Sequence, residues 1–345
     1  MSKMSVLINA YCTHRNPPAI NFPHQLNSRR DRSDPELMEH LNGFIGYIMQ
    51  GGERQMTQSL YYAMRHIERV QNHYSLEFEE DQLDAYGAWA MQANAISYLV
   101  DNSVCDAAGR VLVDPETGEA DDEAQIPYPQ DAIKRKHRME QRMDKEEINV
   151  LKVLPPVISE VEVDLRPAKE VALRALSLFA VALRGESLNA GEPIPVDQMK
   201  SRLPLAFQAM SPKEQAFFAS ASPERQEIVD AAWRYDAVFM LQWALGWIDK
   251  VSWPTAICDV SQIARMLLDA DRQQLVNEAQ LRPTSEILDM LDMHFRLHWT
   301  TRQATNSDQP CPGGLDNGVI QERHHTLNWL IRFEDADWDD VGTPT

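Results

Sequence analysis

SPERQEIVDAAWRYDAVFMLQWALGWI, residues 222–248, reads as one long helix that cannot stand alone in water. Ser222-Pro223-Glu224 opens it, with proline in the first turn, where a missing N–H does no harm. Ile228, Ala232, Tyr235, Phe239, Trp243 and Trp247 fall along one side, and from Ala237 onward nearly every position is apolar, so neighbours must cover the helix on most sides. The run from Ala237 to Ile248 is too short to span a bilayer and contains Gln242, which makes it a buried core helix.

Helical signals continue in both directions. Upstream, Pro167 opens a helix through Arg184, and Ser211-Pro212-Lys213-Glu214 is a capping box. Downstream, helices start at Val260, near Pro283 and at Asp316. Before them all, Asp131 to Asn149 is strongly charged. Its cluster Lys134-Arg135-Lys136-His137-Arg138 is followed by MEQRMDKEE, so opposite charges lie a turn apart on a solvated helix. Residues 131–345 are therefore expected to form an all-α domain, and no repeat at solenoid spacing interrupts it.

The opening residues follow other periods. Ser5 to Cys12 is apolar and β-prone and ends at the Pro17, Pro18 and Pro23 cluster. Two helices follow, one signalled by Ser33, Pro35 and Glu36, the other running from Gln55 to Asn72. Tyr74, Leu76 and Phe78 alternate as a strand, Asp81 to Val100 has helical spacing, and Val104-Cys105 and Arg110 to Val113 flank a hairpin turn. This order predicts a small, sandwich-like α+β domain over residues 1–113, with the sheet on one side and helices on the other. Residues 114–130 are rich in Pro, Gly and acid without apolar periodicity, as expected of a linker.

A formal charge of −19 over 345 residues opposes nucleic acid and anionic lipid and favours a neutral or basic partner. The four cysteines, Cys12, Cys105, Cys258 and Cys311, form no C-x-x-C pair, and no signal-peptide core opens the chain; a cytoplasmic protein with reduced thiols is expected.

Candidate chemistry concentrates in the last two long helices. His294 and His298 sit one turn apart, and His298 points inward; Glu322 and His325 form E-x-x-H, whose members project together. His294, His298, Glu322 and His325 are thus the candidate metal ligands, and His298, Glu322 and His325 the candidate catalytic groups. The spacing lacks the glutamate of H-E-x-x-H, and one E-x-x-H is half of what a di-metal bundle needs. His324 and His325 diverge by about a hundred degrees and would not grip one ion. The competing reading makes these histidines, with Trp299, Trp329 and Trp338, hydrogen-bonded packing elements. In FEDADWDDVGTPT the acidic residues read as solvated, while Trp338 folds back onto the domain. Neither a G-x-S-x-G elbow nor a phosphate-binding glycine loop is present.

EVALRALSLFAVALRGE, YDAVFMLQWALGWID, ICDVSQIARML, RLHW, ERHHTLNWLIR and DWDDVGTPT, in that order, resemble the bacterial family called domain of unknown function 4272. The resemblance covers about Asp131 to Thr345; AWAMQANAI and GRVLVDP look like the extra region of longer members. It implies no reaction and no cofactor. The expectation is accordingly a non-enzymatic bacterial binding or protein-interaction module of accessory or immunity type, without a cofactor. The alternative is an enzyme in which a divalent metal held by the His/Glu set activates water.

Overall fold

A computed structural model describes residues 5–345, which divide into two compact units. The first takes in the chain through Lys134 and then reclaims Ile158–Val163; the second is Arg135–Val157 and Asp164–Thr345. A helical region follows an antiparallel sheet, an α+β arrangement.

The first unit is built on strands β1 (Ser5–Cys12), β2 (Gln25–Asp31), β3 (Asn72–Glu79), β4 (Ala95–Leu99), β5 (Val104–Cys105) and β6 (Val111–Val113), in the order β2-β3-β1-β4-β5-β6. Central β1 pairs antiparallel with β3 (Ile8 opposite Leu76) and with β4 (Ile8 opposite Leu99). Helices α1 (Glu36–Ile48) and α2 (Gln58–Glu68) pack with Tyr11 and Ile96 on one face. Helix α3 (Leu83–Gln92) packs with Ile8, Ala10 and Cys12 on the other. Helices therefore cover both faces, where one covered face was expected. The reason lies in β1, whose alternate residues are apolar in both phases, so each face needs a cover.

Residues 95–99, expected to continue a helix, form β4 instead. Asn94 adopts a left-handed conformation (φ 50°) that stops α3, and the strand then buries Ala95 and Ile96 on opposite faces. Acidic residues 114–123 fold back on β6: Asp121 accepts the Val111 amide at 2.7 Å and returns its own amide to the Val111 carbonyl at 2.8 Å. The reclaimed strip is tied by Glu162, whose buried carboxylate takes Arg69 at 3.0 and 3.2 Å, while Arg15 donates its amide to the Val161 carbonyl.

Helix α4 (Gln130–Lys145) leads into the second unit, followed by α5 (Ala168–Asn189), α6 (Val196–Arg202), α7 (Pro212–Ala219), α8 (Arg225–Ala244), α9 (Val260–Asp269), α10 (Arg272–Asn277), α11 (Thr284–Asn306) and α12 (Asn317–Leu330). Helix α8 is the axis: every residue from Tyr235 to Leu245 is buried, as its all-round apolar character requires. It lies tightly against α5. A Cβ at Gly185 would stand 2.8 Å from the Ala231 Cβ and 2.9 Å from the Ala232 amide nitrogen, so only glycine permits that approach. The capping box of α7 forms as the sequence indicates, with Ser211 and Glu214 exchanging bonds. That of α8 is built by Glu224 and Glu227, two residues later than Ser222 suggested.

Candidate functional site

Helix α11 brings His298 against α12, and the imidazole it meets is His324: the two Nδ1 atoms lie 2.9 Å apart. One ring must donate and the other accept, so the contact fixes opposite tautomers. Both are buried. Burial lowers His298 to about 4, and burial with the neighbouring His298 holds His324 well below the ordinary range. His294 bonds the Met290 carbonyl through Nδ1 at 2.8 Å, which makes Nδ1 the protonated nitrogen; its buried Nε2 has no partner, and burial lowers the group to about 3.

Glu322 faces elsewhere. Two residues along a helix turn the side chain by about two hundred degrees, so Glu322 points away from His324 and toward α8. There the Arg234 guanidinium donates to both carboxylate oxygens at 2.7 and 2.8 Å. Burial pushes Glu322 above the usual carboxylate range, and this two-point contact limits the rise. His325 follows Glu322 on that side, its ring edge-on to Trp338 at 4.6 Å; burial, then the charge of Arg234, lowers it to about 4.

The four ligands named from sequence therefore separate into two groups on different sides of α12, His294 and His298 on one and Glu322 and His325 on the other. The joint His/Glu centre does not assemble: among the described residues no three His, Cys, Asp or Glu side chains gather so as to hold a metal ion. E-x-x-H spacing aims its pair together as expected, but helix packing aims it at an arginine.

What gathers around the second group is larger than the sequence indicated. Trp338 is buried as expected, with the Arg174 guanidinium 4.7 Å and that of Arg234 5.8 Å from its ring centre and Trp329 at 5.6 Å. Arg174 is itself ion-paired with buried Glu214. Asp339 accepts the Ser211 hydroxyl at 2.6 Å and the Lys213 amide at 3.0 Å, while Asp335, Asp337 and Asp340 stay exposed. Arg174 and Arg234 carry no signal in the sequence because each lies far along the chain from Trp338, on helices α5 and α8 whose pattern speaks only of packing. The only local signal was an indole among carboxylates.

Comparison with known proteins agrees with the six motifs. No curated protein and no solved structure matches the chain. A family model described as a domain of unknown function (DUF4272) matches residues 135–341, which begin where the helical unit begins and include α11, α12 and Trp338. Spanning more than half of the sequence, that match identifies the chain as a member of the DUF4272 family.

Proposed function

We propose that this protein is a non-enzymatic binding module of the bacterial cytoplasm, of accessory or immunity type, whose partner is a neutral or basic protein. The observation that carries the reading is the engagement of Glu322. Glu322, the carboxylate of the E-x-x-H pair, is held through both oxygens by Arg234 on the side of α12 away from His298, and His298 is taken by His324. General acid–base work needs a group free to meet a reacting proton, and Glu322 and His298 are each already engaged, by Arg234 and by His324. The charge of −19 supports the choice of partner, since an acidic surface speeds encounter with a basic one and disfavours nucleic acid.

Affinity capture from native lysate, washed at rising ionic strength, tests the reading. A specific basic partner retained at low salt is expected, released as the screening length falls below about 10 Å near 0.1 M salt. Elemental analysis of protein purified without added metal is the counter-test. Near-stoichiometric metal, lost in both His298→Ala and His325→Ala and removed by a chelator with a fall in melting temperature, would replace the binding reading with the metal-assisted enzyme.

A further inference from the structure

The arm that follows α12 sits in a socket complete without it. Arg174 of α5, Ser211 and Lys213 at the start of α7, Arg234 of α8, and His325 and Asn328 of α12 all belong to the helical body. From the arm, Trp338 comes within 4.7 and 5.8 Å of the two guanidiniums and against His325. Asp339 takes Ser211 and Lys213, and Gly342 offers its carbonyl to the Asn328 amide at 2.8 Å. An indole beside two guanidiniums, flanked by a carboxylate on a hydroxyl and an amide, is a recognition chemistry like those by which separate peptides are bound.

The connection is the unusual part. Arg332, Glu334 and Asp335 all hold left-handed backbone, at φ 54°, 56° and 52°, and none is glycine. L-residues resist that conformation, so the hinge is strained for as long as the arm occupies its own socket. Strained short hinges favour exchange of an element between identical copies, because the contacts are the same in either arrangement while the strain is relieved in one. Charge agrees at one point: Glu214 and Glu322 already balance Arg174 and Arg234, and Lys213 is the socket cation left to meet an arm that carries Asp337, Asp339 and Asp340.

We propose that the socket is an interaction surface for a tryptophan–aspartate segment and that a second copy of this chain supplies it, the 336–345 arms crossing so that each Trp338 completes the other copy's socket. This goes beyond the binding reading, which a foreign partner alone would satisfy.

Wild-type chains, one population isotopically heavy and one light, are mixed, warmed below the melting temperature and treated with a carbodiimide. The Lys213 ammonium donates to the Asp339 carbonyl at 3.0 Å, so an amide between Lys213 and the side chain of Asp339 or Asp340 records the docked arm. Heavy–light cross-links are expected to rise with protein concentration toward about half of that product, together with a dimer in sedimentation velocity. Trp338→Ala, which keeps both cross-linking groups, is expected to lose most of the product. Cross-links confined to single chains at every concentration would overturn arm exchange. They would leave the foreign-partner reading standing, because lysate capture reads that separately.

Discussion

Acidification below about pH 6.5 is expected to weaken the helical unit, and the buried imidazoles set the size of the effect. His298 is held at about 4, against an ordinary value of 6.5. A lowered value in the folded state means that the unfolded chain binds the proton more tightly. Stability is therefore whole above about pH 6.5 and is lost as pH falls toward about 4. With those two values, His298 alone costs about 2 kcal/mol near pH 5 and about 3 kcal/mol once pH falls below 4. His294, lowered to about 3, contributes a loss of similar size. Against a domain stability on the order of 5–15 kcal/mol, this is a large fraction. Urea unfolding followed by tryptophan emission reads the helical unit, since every tryptophan except Trp89 lies in it. The wild type is expected to lose stability steeply between about pH 7 and 5, and His298→Asn, which does not titrate there, to lose about 2 kcal/mol less. Equal slopes for the two proteins would refute the assignment of buried neutral imidazoles.

Other outcomes follow from the same geometry. Gly185→Ala is expected to cost about 1–3 kcal/mol, because α5 and α8 must part to admit a methyl group; an unchanged urea midpoint would contradict the close approach. Glu322→Ala strands the Arg234 guanidinium and is expected to destabilise by about 3–5 kcal/mol, with a double-mutant cycle against Arg234→Ala recovering part of the loss; additive costs would deny the pair. Cys12, Cys105 and Cys258 are buried, with their thiols raised by burial, so a thiol reagent at neutral pH should modify Cys311 alone in the folded protein and all four in denaturant. Fast labelling of Cys12 would mean that the sheet opens.

The helical unit was legible because its signals are local. The apolar run of α8, the Ser211–Glu214 box and the starts of α11 and α12 depend on residues within a turn of one another. β2 gives no strand signal because QLNSRRD is largely polar in both phases, its place at the sheet edge resting on pairing with β3. β4 keeps helical spacing in the sequence because a strand buried on both faces shows no alternation, and Asn94 is the break that spacing does not reveal. At the site, helical angles correctly separated His324 from His325 and aimed His298 inward. They could not say which face of α12 meets α11 and which meets α8. That depends on packing, and it decides whether Glu322 serves a histidine or an arginine.

The strip Ile158–Val163 has a consequence for any shortened version of this protein. It falls inside the family's shared stretch, yet its anchors, Arg15 and Arg69, lie ahead of residue 135. Cutting the chain where the family resemblance begins would thus remove Arg15 and Arg69 together, wetting the carboxylate of Glu162 and baring Val163, which is 4 % exposed in the whole chain. A polar replacement at Val163 belongs in the design of any isolated helical fragment.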